Sequence, residues 1–336
     1  MGKRKVITIG KNTEGHTFRI GDQTLDETNT YKYLGMTINN KGNLQDHLEK
    51  TKGKVEAALQ TIFCIARNNN FINMEMKVIW KLVNSCIIPI LMYGAETWTP
   101  TKAETTSIQK MLNNVITRIL QIPRTTATEI LTTETGILDI ETQMNHKQIA
   151  YYHRINTTLK NSNTGIMATN SNNTWNKQVK LNMNKVGIDE ATLLQTKNPK
   201  NYITQKIRKY QNNKILEAAE KKSKVRDLII HKDPSNLTTR PNYMNGLTRN
   251  ECSKIMLIRS RMLQIKGNYK NNYNDMKCRW CHAAIETQKH ILTSCREFTE
   301  ITDNTTYSSY FSEDPNKLKP ILKALDKIQD KLKEKS

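Results

Sequence analysis

Polar and apolar residues alternate over residues 5–9 (KVITI), and similar short alternations recur in HTFRI (16–20) and TYKYLGMTIN (30–39). Period-two segments of this length predict short strands of a small sheet. The turn-rich GKNTEG (10–15) follows the first strand, and Gly35 and Gly42 punctuate the end of the sheet. From about Asn43 the period changes: Leu44, Leu48, Val55, Leu59, Ile62 and Phe63 form a helical stripe. A second helix, capped by Asn73 and running through Ile90, carries apolar residues around most of its girth and is expected to be buried, with Pro89 kinking or ending it. Thr99-Pro100 offers a cap and a first-turn proline for a third helix that reaches about Gln121 and stops before Pro123. Thr126 and Glu129 have capping-box spacing for a fourth helix ahead of Gly136, and a fifth runs from about Ile140 to Lys160.

Residues 161–176 (NSNTGIMATNSNNTWN) are poor in apolar side chains and rich in turn formers, which reads as a linker. Residues 201–232 look helical and hold nine Lys/Arg against three acids. Asp233-Pro234-Ser235 ends that element, and Thr248 with Glu251 forms a further capping box behind Leu247, a candidate staple. An amphipathic, Lys-rich helix is expected from Lys317 onward. The pattern therefore predicts a mainly α protein divided into a β segment at 1–42, a helical domain at 43–160, a polar linker at 161–200, a basic helical region at 201–270, a small metal knuckle at 271–300 and a helical tail at 301–336.

Charge narrows the class of partner. There are 52 Lys and Arg against 31 Asp and Glu, a net +21. Such an excess favours a polyanion, because each cation that neutralises a phosphate releases a counterion. The apolar fraction of 37% is low for 336 residues, whereas about 45–50% is usual. The charged start, Met1 to Lys5, has no apolar core behind it and does not read as a secretory signal. Disulfides are therefore not expected, nor use of the Asn-x-Thr triplets at Asn156, Asn172 and Asn304. The longest apolar run, Ile87–Tyr93, is far short of the roughly 20 residues of a membrane span.

The sharpest chemical signal is Cys278-x2-Cys281-x8-His290-x4-Cys295. Two cysteines three apart fit one tight turn, and His290 and Cys295 complete the tetrahedron that zinc prefers. With all four positions filled by protein, the expected role of Zn2+ is structural. His282 is a rival nitrogen ligand, strained by its place beside Cys281. Cys64, Cys86 and Cys252 lie in apolar helices and read as core. Trp280 and Arg279, inside the cluster, either stack on bases and pair with phosphate or form a mini-core on the metal loop. No two aspartates are adjacent anywhere and no Gly-rich phosphate loop is present, so neither a Mg2+ site nor a catalytic residue is assigned. His146 and His153 share one helical face without an evident third ligand, which favours packing over metal binding.

Several segments, in order, resemble non-LTR (LINE-type) retrotransposon reverse transcriptases. TYKYLGMTIN with Gly42 is similar to the strand–turn that follows the catalytic palm core, and PILMYGAETW (Pro89–Trp98) resembles the thumb region. RILQIPRTTATEILTTETGI (Arg118–Ile137) is similar to its usual continuation, SKVRDL (Ser223–Leu228) is a weaker match, and the Cys/His cluster sits where that family carries a C-terminal knuckle. The resemblance spans most of residues 5–300, with 161–200 poorly matched. It implies that residues 1–42 are the end of a palm, that 43–160 are a thumb gripping a primer–template duplex, and that the basic helices and knuckle hold template RNA or target DNA. Arg259, Arg261, Lys266, Arg279 and Trp280 are the contacts it suggests. The family's paired polymerase aspartates belong upstream of Tyr33-Leu34-Gly35, and 41 residues after Cys295 are too few for the nuclease some relatives carry there. The expectation is a C-terminal third of such a polyprotein, inactive as a polymerase alone, nuclear, and binding RNA or DNA. A separately encoded palm is a candidate partner. The alternative reading is a zinc-dependent protein-interaction module.

Overall fold

In the computed structural model, residues 5–9, 17–68, 73–169, 173–302 and 305–334 are described; the turn-rich residues 10–15, and the acceptor asparagines Asn172 and Asn304, lie outside them. The N-terminal strands are β1 (Lys5–Val6), β2 (Arg19–Ile20), β3 (Gln23–Thr24), β4 (Asp26–Glu27), β5 (Thr30–Tyr33) and β6 (Met36–Asn39). They form three separate pairs: β1 with β4 in parallel, and β2 with β3 and β5 with β6 antiparallel. Only β6 shows the alternation of a half-buried strand. Thr37 and Asn39 point inward, where Asn39 accepts the Asn43 N–H at 3.1 Å and so ties the hairpin to the first helix.

The remaining regular structure among the described residues is mainly helical. α1 (Gln45–Asn68) is followed by α2 (Met76–Leu82), which passes through a π turn at Val83–Ile87 into α3 (Ile88–Leu91). Pro89 neither ends nor breaks this helix. A proline lacks the N–H for the i−4 bond, and the π turn just upstream shifts the ladder so that Pro89 falls in the first turn of α3. Then come α4 (Lys102–Leu120), α5 (Thr128–Thr135), α6 (Ile140–Asn156), α7 (Asn163–Thr169), α8 (Thr174–Val186) and α9 (Glu190–Gln195). α10 (Pro199–Lys221), α11 (Ser223–Ile229), α12 (Tyr243–Gly246), α13 (Arg249–Arg259), α14 (Gln288–Thr293), α15 (Thr299–Thr302) and α16 (Pro315–Lys333) complete the chain. No described helix is long and apolar enough to cross a membrane.

Several helix ends differ from expectation. α2 starts after Glu75 rather than Asn73, because its first turn is bridged to α13: the Met76 N–H donates to Leu247 O at 3.0 Å and the Arg249 N–H to Met74 O at 2.9 Å. Thr101, not Thr99, caps α4, in a reciprocal capping box with Glu104. The Thr126–Glu129 box does not form. Ala127 is the cap, Thr126 turns back to Pro123 O, and Glu129 pairs with Lys222. The box at Thr248–Glu251 forms as the spacing predicts, and Asp314 caps α16. The exposed Cys64 and Cys86 are not core, whereas Cys252 is fully buried.

The polar linker is corrected more deeply. Residues 174–195 form α8 and α9, and Trp175, Val179, Met183, Val186, Ile188 and Leu193 build a small core with Ile149, Tyr152, Ile203 and Ile207. In α8 the buried Trp175, Val179, Met183 and Val186 sit three and four apart on one face, while Leu181 is exposed, a pattern that low overall apolar content conceals. A shared core also crosses the boundaries expected within the helical part of the chain. One apolar core runs from Leu48 through Met144, resumes at Ile215 and continues to Leu332. The helical domain at 43–160, the basic region, the knuckle and the tail therefore share one interior.

At the centre of that interior lies a buried charge cluster. Glu134 (0% exposed) pairs with Lys232 Nζ at 3.2 Å and Arg259 Nη1 at 3.3 Å, and it accepts the Tyr243 hydroxyl. Arg259, 1% exposed, also donates to Tyr310 O at 3.2 Å and Ser312 O at 2.6 Å, and its guanidinium lies 4.3 Å from the Tyr243 ring centroid. Burial opposes ionisation of Glu134, but the two cations and the hydroxyl outweigh it and hold the carboxyl below the ordinary carboxylate range. Gly136, two residues on, takes φ 69° to end α5, and a Cβ there meets the Arg240 backbone nitrogen at 2.9 Å.

Glu134→Gln is expected to lower stability by about 3–5 kcal/mol near neutral pH, because it leaves the buried Arg259 without a carboxylate and Lys232 with Glu313 alone, at 3.0 Å. The sign with pH follows from the lowered value in the folded state. The wild-type contribution is present above the unfolded carboxyl's ordinary value, roughly 4.3, and is lost as pH falls through the depressed one. Urea titrations at descending pH should therefore show the penalty of the substitution shrinking in acid.

A candidate Cys3His metal centre on the shared core

The four ligand candidates come from a minimal hairpin and a short helix. Lys277 and Ile285 form an isolated antiparallel bridge, with the Cys278 N–H donating to Ala284 O at 2.8 Å and the Glu286 N–H to Met276 O at 2.9 Å. Between them the chain turns tightly: the His282 N–H returns to Cys278 O at 3.1 Å, and His282 takes φ 52°. Thr287 caps α14 by accepting the His290 N–H, and the Cys295 N–H closes on His290 O at 2.8 Å, so histidine and last cysteine face the hairpin together.

As a result Cys278, Cys281, His290 and Cys295 bring their ligand atoms within 4.8 Å of one another. Cys278 Sγ and Cys295 Sγ are 3.8 Å apart, and Cys281 Sγ is 3.3 Å from His290 Nε2. With metal–sulfur bonds of about 2.3 Å, a tetrahedron places its sulfurs roughly 3.8 Å apart. The donor set and its spacing are thus compatible with zinc. The Ala283 N–H, first among the causes, brings the Cys281 thiol down to about 6, while burial pushes Cys295 up to about 12. A divalent cation among the three sulfurs supplies the charge that lets all of them ionise. His282, exposed on the turn, is not part of the cluster.

A residue not singled out from the sequence holds the centre in place. Glu286, fully buried, receives the Arg279 guanidinium (Nη2 to Oε1, 2.8 Å) and the backbone N–H groups of Arg279 and Lys266, both at 2.9 Å. Burial resists its charge, but Arg279 and these N–H groups prevail and keep its carboxyl below the ordinary range. The only hint in the sequence is an acid inside a cationic metal loop.

The residues expected to meet nucleic acid are used internally instead. Arg259 belongs to the Glu134 cluster. Lys266 is 8% exposed and donates Nζ to Lys277 O at 2.9 Å. Trp280, 7% exposed, packs edge-on against Phe298 at 5.3 Å, and Arg279 lies 4.9 Å over its ring while bonding Glu286 and Gln264 O. Of the two roles open to Trp280, the mini-core is the one it plays. Arg261, in the left-handed region at φ 52°, pairs with Asp227. His146 bonds Thr204 at 3.2 Å, in keeping with packing. For the cations the physical reason is the same: the core is lined by backbone carbonyls and carboxylates that need donors, and the arginines and lysine satisfy them, while Trp280 is held by packing. Compared with models of protein families, with curated proteins and with solved structures, the chain gives no match.

Glu286→Gln should leave all four ligands in place yet weaken metal affinity about 10- to 100-fold, since it releases the hydrogen bonds that orient the hairpin. Competition between the protein and a chromophoric chelator measures this; an unchanged affinity contradicts the supporting role.

Proposed function

We propose that this chain is a nucleic-acid-binding protein whose fold is stapled by one structural Zn2+, and that it corresponds to the thumb-and-knuckle portion of a non-LTR reverse transcriptase. Held by Cys278, Cys281, His290 and Cys295, the zinc supplies cross-linking energy and leaves no position open for a reacting group. On this reading the protein acts in the nucleus on RNA or DNA phosphates, and contributes grip rather than nucleotide chemistry.

The observation that carries the proposal is a cationic groove of about 720 Å³ between α1 and α4. Lys52, Lys110 and Arg124 line it, and among the described residues none of them closes an ion pair; Glu56, the acid on its wall, is taken by Arg118 at 2.6 Å. Val55, Met111 and Val115 floor it. Gly53 opens it further. This glycine lies inside α1, at a cost of about 0.5–1 kcal/mol relative to alanine, and nothing lies within 4 Å of the place its Cβ would take. A missing side chain beside unpaired cations lets a phosphodiester backbone approach the helix closely.

A second reading, docking to another protein such as a polymerase palm, draws on the β5–β6 hairpin, where Tyr33 is 58% and Leu34 75% exposed.

Binding to short RNA and DNA duplexes should weaken linearly on a log–log scale with salt. Replacing Lys52, Lys110 and Arg124 together by alanine should reduce that slope by about 2–3, at roughly 0.7–0.9 per phosphate contact, whereas Lys266→Met should not change it. Gly53→Ala should raise Tm and weaken binding. Absence of binding at low salt would favour the docking reading.

A further inference from the structure

A second cavity, of about 530 Å³, lies on another side of α4, between α6 and α8. Its lining is unlike that of the cationic groove. Four carboxamides surround it: Asn145 and Gln148 from α6, and Gln178 and Asn182 from α8. Thr105 and Thr106 add hydroxyls, Pro100 and Met144 add apolar surface, Glu141 and Lys185 line it as an ion pair, and Lys102 is exposed, without an ion pair among the described residues.

Three of the amides form a relay that fixes their orientation. Gln178 Nε2 donates to Asn182 Oδ1 at 3.0 Å, Asn182 Nδ2 donates to Gln148 Oε1 at 3.0 Å, and Gln148 Nε2 donates to Trp98 O at 2.8 Å. Asn145 differs. It is 3% exposed, and its Nδ2 finds no hydrogen-bond partner. A buried amide donor left unsatisfied is costly, so its persistence beside a cavity points to an acceptor supplied from outside the chain. Side-chain amides pair donor and acceptor in one plane, which suits the edge of a nucleobase. Pro100 and Met144 give apolar faces for a planar ring, and Lys102 matches a phosphate.

Resting on the nucleic-acid reading above, we propose that this cavity takes a single unstacked nucleotide, its base edge read by the amides of Asn145 and its neighbours and its phosphate met by Lys102. The site adds base readout to a protein whose other contacts are to backbone, in the way that single-stranded nucleic acid is recognised through splayed-out bases.

The test is titration of the intact, zinc-loaded protein with each nucleoside 5′-monophosphate by calorimetry, with ribose 5-phosphate and inorganic phosphate as base-free controls and a mixed-sequence single strand alongside. At least one mononucleotide should bind, the controls at least about ten-fold more weakly, and Asn145→Leu should reduce affinity about ten-fold. Asn145→Leu keeps the side-chain volume and removes the orphaned donor, so it should fold. Gln178→Met, at an exposed position, serves as a second variant and should also weaken binding. If base-free phosphates bind equally well, or if neither variant alters the affinity, the base pocket is refuted. A single strand that binds while no mononucleotide does refutes the pocket and leaves the proposed function standing. If neither binds, both fall.

Discussion

A buried carboxylate that must find its cations constrains this fold more than any other contact. Glu134 sits at the end of a short helix with no access to water. Its partners arrive from 98 to 125 residues downstream, as Lys232 and Arg259. Tyr243 and the carbonyls of Tyr310 and Ser312 then complete the coordination of Arg259 and Glu134. A charge pair taken out of water is stabilising only when its remaining valences are satisfied. The cluster is therefore an all-or-none arrangement, and it requires α5, the turn after α11, α12, α13 and residues 310–312 to assemble together. That is the physical reason the chain resists division into consecutive modules.

The metal centre inherits this constraint. Its hairpin is sewn to residues that follow α13 by Glu286, which bonds the Lys266 N–H, and by Gln288, which donates to Ile258 O and so reaches α13 itself. Trp280 and Phe298 continue the same apolar core. A small knuckle on a flexible tether needs its metal to fold at all. Here a metal held by the four candidate ligands would close a loop whose far side is already held by packing, so its binding and the Glu134 cluster would stabilise one another through α13. The cations of the region serve these purposes first, which is why charge counted along the sequence overstates what is free to meet a ligand.

The sequence disclosed periodicity well and partners poorly. The helical stripe from Leu44, the stop before Pro123 and the Thr248–Glu251 box all follow from local rules, and all appear in the structure, whereas the helix ending near Ile90 is buried on one face only. The four metal ligands were legible because their spacing is itself the geometry. Arg259 was misread because nothing near it in sequence announces Glu134. Residues 161–200 were misread because a helix that buries one narrow stripe needs few apolar residues, and average composition hides them. Thr126 lost its capping role to a neighbour for a similar reason: Glu129 is drawn to Lys222, 93 residues away.

The helix α4 gives the two cavities a common frame. Lys102, Thr105 and Thr106 line one, and Ser107, Lys110, Met111, Asn113, Asn114 and Val115 line the other, so successive turns of a single helix face both. At its start the Thr101–Glu104 box satisfies the first turn, and Glu104 also accepts the Leu44 N–H at 2.7 Å, which fixes the entry to α1. At its end the buried Arg249 guanidinium donates to Ile119 O at 2.6 Å, joining α4 to α13 and hence to the charged core. A helix anchored at both ends does not slide, and at 1.5 Å per residue Lys102 and Lys110 stand about 12 Å apart along its axis. An elongated polyanion lying in the groove would therefore meet a fixed spacing to the amide-lined cavity, set by the rise of the helix itself.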